Sequence, residues 1–448
     1  MVDALDYDVV IIGGGVGGLT LAVKLARCGV NLLVIEKDVK GGLVYKGELL
    51  QPKSLQILDE VDVLDKLLPH SYELDKIHTY EVELKSGEAP ETLYHSRLNY
   101  DWLPTKYNHA RMAPHEKIRN LLLEKANDYP SFDYWTPAKL VRIKEGRDHS
   151  EQIAVINQDG EEREVKTRFI VGAEGRISPV RKAMDSTLHS MQYNHHFLTV
   201  TFPRPPSLTE ATILATRNHF VGLFPLPDDQ VRSVYMIEPG RYKEMRKEGL
   251  EPVFQAYYDF MPEMRGYVDQ IKKWKEIQLM IPIRHNTSHY VDKGMAILGD
   301  AAHSVHPMAG EGMNMAIQDA DVLGELLCWM FTNNRTDPQM LGWYERVRKP
   351  RSEFVSGLSH QSALVYSFRS RAWQKIRMKA LKHLENHPRL HFKHLLNISG
   401  MGMWPMNLLD WPRHIGFPPG ESSRYTLSDE TKMRHFFARE DDYPWEKR

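Results

Sequence analysis

Glycines and acidic residues at fixed spacing are the groups in this sequence that could bind a phosphate-bearing ligand. Residues 13–18 fit G-x-G-x-x-G, and an acidic residue follows one helix and one strand later. Such glycines allow a tight turn close to a pyrophosphate, and the acid accepts hydrogen bonds from a ribose. The pattern predicts a bound dinucleotide, FAD or NAD; a glycine turn in an unrelated α/β domain is the alternative. The predicted contacts are Gly13, Gly15, Val16, Gly17, Gly18, Glu36 and Lys37.

The elements around these glycines are those that the motif needs. Val9–Ile12 is a short β-branched run typical of a buried parallel strand. Thr20–Cys28 has helical composition and Gly29 supplies a stop, after which Leu32–Ile35 forms a second strand. In this βαβ unit the helix directs its unpaired N–H groups at the pyrophosphate.

Two further strand ends carry glycine. Phe169–Val171 continues into Gly172–Gly175, and Met295–Leu298 ends just before Asp300. The carboxyl ends of strands are where α/β sheets bind ligands, so Asp300 is a candidate ligand contact. Gly310–Asn314 then begins a helix that we expect to reach about Phe331. The nucleotide domain is therefore predicted to be discontinuous in sequence.

The segments between these motifs have a different character. Residues 140–171 alternate apolar and polar residues around an Asp159-Gly160 hairpin turn, and residues 191–285 read as short strands of an antiparallel sheet. Helices are predicted over Pro52–Leu68 and Ala113–Asn127. Aromatic alternation in the antiparallel sheet is more often core than ligand contact. Its candidate substrate-positioning residues are His219, Phe220, Phe224 and Tyr235.

Composition limits the class of protein. The chain has 448 residues, a net charge of -1 and 42% hydrophobic residues, so nothing favours nucleic-acid binding. No signal peptide and no apolar run of about 18 residues is evident, which predicts a cytoplasmic protein. Cys28 and Cys328 lie in predicted helices, and we expect both to be reduced core residues.

The C-terminal part is predicted to be helical from Leu341 to about His394. Tyr366–His394 holds eight Lys or Arg and a single acid, Glu385. A solvated helix face is the favoured interpretation, and a peripheral membrane contact through 366–420 is the alternative. Residues 400–420 are apolar and could cap a substrate cavity. The last residues, 421–448, form a charged tail that we expect to be poorly ordered.

Taken together, the three motifs resemble those of the class A flavoprotein monooxygenases, the family of para-hydroxybenzoate hydroxylase. The resemblance covers roughly 5–45, 165–185 and 290–330. It implies an α/β fold: a Rossmann-like FAD-binding domain with an inserted antiparallel-sheet substrate domain and a C-terminal helical region. The boundaries are 1–75, 107–186 and 287–335 for the FAD-binding domain, 76–106 and 187–286 for the substrate domain, 336–420 for the helices and 421–448 for the tail.

The resemblance also assigns roles to residues of the third motif. Asp300 would bind the ribityl chain of FAD, and Gly312, Met313 and Asn314 would face the isoalloxazine ring, with Pro307 and Gly310 in the same segment. The start of a helix under the ring would stabilise the negative charge of a reduced flavin. Glu174 stands where the family has Asp, which puts its family contacts in doubt. Arg111 is a further candidate FAD contact, and an exposed structural Arg is as good an interpretation.

The chemistry that the family implies needs no protein nucleophile, and no catalytic residue is assigned. NADH or NADPH reduces FAD, O2 adds at the flavin C4a to give a hydroperoxide, and one oxygen atom reaches the substrate. We expect a hydrophobic aromatic, polyketide or quinone-like substrate, as in secondary metabolism. No second dinucleotide fingerprint is evident for NAD(P)H. His303 and His306 have a spacing that permits a metal, but no third ligand is evident, and no metal is predicted.

Three alternatives stay open. Gly47–Pro52 resembles a segment of squalene epoxidases, which would indicate epoxidation of an isoprenoid alkene. A flavin-dependent prenyl reductase would reduce alkenes without inserting oxygen. A flavin-binding sensor or scaffold would have the fold and no turnover. The substrate, the choice between NADH and NADPH and the oligomeric state are not predicted.

Overall fold

The computed structural model describes residues 5–39, 48–85, 89–146, 151–408, 410–414 and 427–447. Its strands, in chain order, are β1 (Tyr7–Ile12), β2 (Leu32–Ile35), β3 (Leu49–Leu50), β4 (Tyr72–Leu74), β5 (Lys76–Glu83), β6 (Glu91–Asn99), β7 (Ala110–Met112), β8 (Phe132–Trp135), β9 (Ala138–Glu145), β10 (Gln152–Gln158), β11 (Glu161–Gly172), β12 (Leu188–Gln192), β13 (His196–Pro203), β14 (Ala211–Ala215), β15 (Phe220–Leu226), β16 (Gln230–Ile237), β17 (Gln278–Met280), β18 (Ile283–Thr287), β19 (Val291–Asp292), β20 (Met295–Ile297) and β21 (His303–Ser304).

The α-helices have the following bounds, with short 3₁₀ turns between some of them. They are α1 (Val16–Arg27), α2 (Pro52–Glu60), α3 (Leu64–Leu67), α4 (His115–Ala126), α5 (Pro179–Ala183), α6 (Arg241–Glu248), α7 (Glu251–Phe260), α8 (Gly312–Thr332), α9 (Gly342–Ser367), α10 (Arg371–Asn386), α11 (Pro388–Ser399), α12 (Asp410–His414), α13 (Asp429–Met433) and α14 (Arg439–Asp442).

The first sheet is mostly parallel. Its order is β19-β20-β11-β1-β2-β8, with β20, β11, β1, β2 and β8 parallel. The apolar run Val9–Ile12 is buried in the middle, as its composition predicts. β10 pairs with β11 through a hairpin at which Asp159 and Gly160 have φ of 53° and 90°. The predicted α/β class is confirmed.

Helix α1 lies between this sheet and two other helices, α4 and α8. Its close approach to α8 depends on Gly324, where a Cβ would lie 3.0 Å from the Cβ of Lys24. The first turn of α1 and the first turn of α8 therefore belong to one packed unit with a common apolar core. The predicted helix over Pro52–Leu68 is divided into α2 and α3, since Asp62 between them has φ of 56°.

A second sheet has the order β17-β13-β16-β15-β14-β5-β6. Its neighbours are antiparallel except β5 and β14, which run parallel. It draws β5 and β6 from 76–99 and its other strands from 196–280, so two separated stretches build it, and it packs on its own apolar core. The domain boundaries given above stay a prediction.

The C-terminal residues behave differently from the expectation. Within residues 427–447, Tyr443 and Trp445 pack on the first core, with Trp445 fully buried, and the Tyr443 hydroxyl donates to Asp321 Oδ2 at 2.9 Å. Asp442 pairs with Lys53 and with Arg351. The expectation of a poorly ordered tail is therefore wrong for these residues, because two aromatic side chains anchor a segment whose remaining composition is polar. Residues 409, 415–426 and 448 lie outside the described part.

The two cysteines are also not as expected. Cys28 and Cys328 form a disulfide, with their Cα atoms 5.9 Å apart. The prediction of two reduced cysteines is wrong because the packing of α1 on α8 brings together two residues that are 300 positions apart in sequence. No helix in the described part is long and apolar enough to cross a membrane.

We expect the disulfide to be detectable by chemistry. The protein denatured without reductant should show no thiol that reacts with a thiol reagent, and two thiols after reduction. Cys328→Ser should lower the free energy of unfolding by about 2–4 kcal/mol, because the cross-link restricts the unfolded chain. Urea unfolding measures this loss, and the reduced wild type is the control. Two reactive thiols in the unreduced protein would contradict the pairing.

Candidate functional site

One cavity of about 1810 Å³ brings the three glycine-bearing segments together. It lies at the carboxyl ends of β1, β11 and β20, where a parallel sheet is expected to bind ligands. The predicted residues that line it are Gly13, Gly15, Val16, Gly17, Gly18, Glu36, Lys37, Asp300, Pro307, Gly310, Gly312 and Met313.

The first glycine segment is shaped by close backbone contacts. Gly13 has φ of 112°, and a Cβ there would lie 2.4 Å from the carbonyl oxygen of Ala173. A Cβ on Gly18 would lie 2.1 Å from the carbonyl oxygen of Gly13. Gly15 stands at the N-cap of α1, and no side-chain cap is bound there. The first N–H groups of α1 are thus left to a ligand in the cavity.

Glu36 lies at the edge of the same loop. Its Oε2 accepts a hydrogen bond from Gly14 N–H at 2.8 Å and its Oε1 accepts one from Asp38 N–H at 3.0 Å. Each carboxylate oxygen has a second lone pair, so both can still accept from a ribose hydroxyl. Tyr134 and Arg119 support the loop from behind, since Arg119 Nε donates to Gly14 O at 2.8 Å.

The carboxylate of Glu174, in the middle motif, accepts hydrogen bonds from other groups of the protein. Its Oε2 accepts from Ser178 Oγ at 2.9 Å and its Oε1 accepts from Val180 N–H at 3.2 Å. These contacts cap the start of α5. Burial raises the pKa of Glu174 to about 7, although its hydrogen bonds and Arg181 oppose that shift. Glu174 also lines the cavity.

Asp300 follows β20 and faces the cavity. Asp300 is exposed to a solvent-sized molecule, but the space that it faces is the cavity inside the protein. Because protein surrounds it, burial raises its pKa, while His303 and Arg176 act in the opposite direction. The backbone at this position is held by His285, whose Nε2 hydrogen-bonds Asp300 O at 3.0 Å.

A buried charge cluster fixes the loop that carries Asp300. Asp319 of α8 accepts from Gly299 N–H at 3.0 Å, pairs with His303 Nε2 at 2.6 Å and accepts from Arg348 Nε at 2.7 Å. Burial alone would raise the pKa of Asp319, but His303 and Arg348 outweigh it and lower the pKa to about 2. The carboxylate is thus ionised and joins the loop, α8 and α9.

The start of α8 presents a second acid to the cavity. Glu311 is only 3% exposed, and its Oε1 has no hydrogen-bond partner. Burial raises its pKa well above the usual value, and a hydrogen bond from Gln51 offsets this only in part. Gln51 Oε1 in turn accepts from the Tyr100 hydroxyl at 2.9 Å. Burial thus favours the neutral form of the Glu311 carboxyl group, and this role could not have been singled out from the motif G-x-G.

Asn314 has a different role from the expected one. Its Oδ1 accepts from Gln51 N–H at 2.8 Å, and its Nδ2 donates to Leu49 O and to Gly310 O, both at 2.9 Å. The side chain is fully buried and does not line the cavity. Asn314 therefore positions residues 49–51 against the start of α8, and does not present its amide to the ring.

Several other predicted residues lie away from the cavity. Arg111 donates through Nε to Ser71 Oγ at 2.7 Å and pairs with Glu73. Phe220 packs with Phe197, and Tyr235 packs in the core of the second sheet near His219. Of the four substrate candidates, only Phe224 lines the cavity. Met308, Met280 and Tyr366 also line the cavity, and no motif in the sequence singles them out.

The two histidines of the third motif are in separate environments. His303 pairs with Asp319, whereas His306 Nε2 hydrogen-bonds His195 Nε2 at 2.8 Å. Burial lowers the pKa of His195 to about 4 and that of His306 to about 3, so both are neutral near pH 7. Among the described residues no group of His, Cys, Asp or Glu is arranged to hold a metal ion.

The residues of this cavity fit FAD. Two helix starts, those of α1 and α8, have no side-chain cap and point free N–H groups at it. The tight glycine contacts at Gly13 and Gly18 leave no space for a Cβ, and Glu311 Oε1 is a buried polar atom without a partner in the protein. The model of the family described as "FAD binding domain" matches residues 6–357.

This chain belongs to the FAD binding domain family. It is an FAD-dependent oxidoreductase of the class A monooxygenase type. Over 381 residues it is 25% identical to 6-methylpretetramide 4-monooxygenase of Streptomyces rimosus, covering 84% of this chain and 88% of that protein. It is 23% identical over 423 residues to the ubiquinone hydroxylase UbiL of Rhodospirillum rubrum, covering 90% and 92%. The resemblance to squalene epoxidases stays a prediction.

Solved structures share the fold. PnpA, the p-nitrophenol 4-monooxygenase of Pseudomonas putida, has a TM-score of 0.76 at 17% identity and covers 92% of this chain and 98% of its own. PqsL of P. aeruginosa in complex with 2-aminobenzoylacetate has a TM-score of 0.73 at 23% identity, covering 82% and 98%. At these identities the likeness extends to the fold alone, and the predicted fold class is confirmed.

Replacing Asp319 in this monooxygenase should destabilise the fold, whereas replacing Asp300, whose carboxylate faces the cavity, should not. Asp319→Asn leaves the buried Arg348 guanidinium without its ionised partner, so the free energy of unfolding should fall by about 3–5 kcal/mol. The matched control is Asp300→Asn, which faces the cavity and should stay within about 0.5 kcal/mol of wild type. Urea unfolding measures both. Equal midpoints for Asp319→Asn and wild type would exclude the proposed role of the cluster.

Glu174 should give the stability of the protein a pH dependence. Its pKa is raised to about 7 from an ordinary 4.5, so the folded state binds the extra proton and stability falls as pH rises from about 4.5 to about 7. The total change is about 3 kcal/mol. Glu174→Gln should lack this decline, and Glu174→Asp should keep it. Urea unfolding at stepped pH measures the slopes, and parallel slopes in Glu174→Gln and wild type would contradict the assignment.

Proposed function

We propose that this chain uses NADH or NADPH and O2 to insert one oxygen atom into an electron-rich, hydrophobic small molecule. The observation that carries the proposal is the continuity of the cavity. The part that fits FAD opens directly onto a section lined by Met308, Phe224, Val234 and Met280. A substrate there would lie beside the segment Pro307–Met313, where the resemblance places the isoalloxazine ring.

FAD, when bound, supplies the redox chemistry, taking a hydride from the nicotinamide and activating O2. The protein supplies position and electrostatics. The free N–H groups at the start of α8 favour negative charge at that end of the cavity. Asp300 lies at the strand end, where it can accept hydrogen bonds from hydroxyl groups of the cofactor.

Glu311 is a buried acid at the start of α8, where burial raises its pKa and so favours the neutral carboxyl group. Its Oε1 is buried and without a partner in the protein, and the residue is one of those that line the cavity. A neutral carboxyl group in this place can donate a hydrogen bond to a carbonyl or phenolate oxygen, which an ionised one cannot. The Gln51 and Tyr100 side chains hold it in place and remain linked to each other.

The walls beside Met308 are largely apolar. Ile213, Val234 and Phe224 project from the second sheet, and Met280 follows from β17. A dry site protects a reactive oxygen donor from decay and strengthens every polar contact within it. A substrate that enters must therefore be largely apolar around its reactive atom.

The names of relatives support an aromatic, polyketide or quinone-like substrate. The relatives named above include a 6-methylpretetramide 4-monooxygenase and a ubiquinone hydroxylase. A 3-hydroxybenzoate 6-hydroxylase of Polaromonas naphthalenivorans is 24% identical over 375 residues. Epoxidation of an isoprenoid alkene, prenyl reduction and a non-catalytic flavin protein are the alternatives that the following test separates.

The test is transfer of labelled oxygen. FAD-loaded protein is incubated with NADPH or NADH, ¹⁸O2 and a panel of phenols, quinols and polyketides, and products are analysed by mass spectrometry. We expect substrate-stimulated NAD(P)H oxidation and one ¹⁸O atom per product on an aromatic carbon. A labelled epoxide would indicate the epoxidase, and an unlabelled reduced product the reductase. No stimulated oxidation with any compound would favour the scaffold.

A further inference from the structure

The cavity extends well beyond the flavin section into the C-terminal helices. Its volume of about 1810 Å³ exceeds the roughly 300–1,000 Å³ that holds one drug-sized ligand. We call this extension the C-terminal arm. The lining residues that define it here are Val365, Tyr366, Trp373, Ile376, Ala380 and Leu384.

One face of α10 forms a continuous apolar wall of the arm. Trp373, Ile376, Ala380 and Leu384 recur every three or four residues, so they lie along one side of the helix. At 1.5 Å per residue the stripe is about 16 Å long. Arg377 is the one residue of α10 that is buried, and Ile376 is 44% exposed. The stripe therefore borders the cavity instead of packing in a core.

Polar contacts attach α10 to the second sheet. Arg377 donates two hydrogen bonds to Glu81 of β5, from Nε to Oε1 and from Nη2 to Oε2, the latter at 2.8 Å. Its Nη2 also donates to Thr216 O at 2.9 Å. At the other end of α10, Glu385 accepts from the Tyr94 hydroxyl of β6 at 2.8 Å. Both contacts orient the helix by ion pairs and hydrogen bonds, so that its apolar stripe is left to line the arm.

Charged side chains that line the cavity beside α10 have partners, since Arg377 pairs with Glu81 and Arg97 pairs with Glu385. Glu81 and Arg377 are each nearly inaccessible, and neither has an unpaired charge to offer a ligand. The residues that define the arm thus offer a ligand hydrocarbon contact along an extended surface. That chemistry matches a hydrocarbon chain and does not match a charged or compact group.

We propose that the C-terminal arm binds an apolar hydrocarbon tail of the substrate. This inference rests on the proposed function and makes its substrate an amphipathic molecule, with the oxidised head near Met308 and Phe224 and a tail of up to about 16 Å along α10. The tail fixes the head in register with the reaction site, because both occupy one continuous cavity.

A homologous series of ligands tests the inference without turnover. FAD-loaded protein is titrated by calorimetry with phenols that carry methyl, butyl, octyl or dodecyl groups at the para position. Each buried methylene should lower the Kd about threefold to fourfold until the arm is filled. Separate NADPH oxidation assays with the same compounds report on the proposed function. If affinity rises with tail length but none of the compounds stimulates NADPH oxidation, the proposed function is overturned and the arm remains a site for the tail.

Variants of α10 locate the effect. Ala380→Trp fills the arm and should abolish the gain from butyl to dodecyl, while binding of the methyl compound stays unchanged. Ala380→Leu should shorten the effective tail if the larger variant does not fold. Lys379→Trp, at the exposed neighbouring position, is the matched control and should retain the whole series.

Two results would overturn the inference. One is a Kd that does not change with tail length, or changes equally in Ala380→Trp and Lys379→Trp. The other is simultaneous binding of dodecanoate and the methyl compound, with the dodecyl compound binding no more tightly than dodecanoate. That second result would assign the arm to a separate lipid. Competition between dodecanoate and the dodecyl compound, with tighter binding of the latter, supports one substrate that has both head and tail.

Discussion

A single buried carboxylate, that of Asp319, determines how the parts of this site meet. It binds the backbone of Gly299, the ring of His303 and the guanidinium group of Arg348. A charge without water around it is tolerated only when several groups compensate it, so its partners have little freedom to move. The loop after β20, the first half of α8 and the first two turns of α9 are therefore fixed relative to each other. Both the Asp300 carboxylate and the start of α8 depend on that arrangement.

The same kind of contact recurs on the substrate side. Arg232 of β16 binds Glu48 with two hydrogen bonds, at 2.7 and 2.8 Å, and Arg377 of α10 binds Glu81 of β5. In both cases a charged pair joins two segments that are distant in sequence, and apolar side chains such as Leu49 and Ile376 line the cavity beside them. The ion pairs orient the walls, and the apolar surface is left for ligands. This division of roles explains how a wide cavity persists in an otherwise close-packed protein.

The sequence predicted the parts of the fold that have local signals. The strand, glycine turn and helix over residues 7–27 are specified by neighbours in sequence, as are the hairpin at Asp159-Gly160 and α8. The positions of Arg111 and of the aromatic candidates in the second sheet depend on which face of a strand meets the cavity, and a period of two cannot decide between two faces that are both covered. Phe224 and Tyr235 illustrate this, since Phe224 lines the cavity and Tyr235 packs in the core on the other face of the second sheet. The disulfide and the burial of Trp445 depend on packing between distant segments, and the raised pKa of Glu311 depends on its burial, which no spacing reveals.

The central claim is that three separated segments form one FAD site. The most direct measurement is the amount of flavin that the purified chain retains after incubation with FAD and gel filtration, read from its absorbance spectrum. The account predicts about one FAD per chain, with flavin bands shifted from those of free FAD by a protein environment. A folded, monodisperse protein that elutes colourless and takes up no FAD would contradict it.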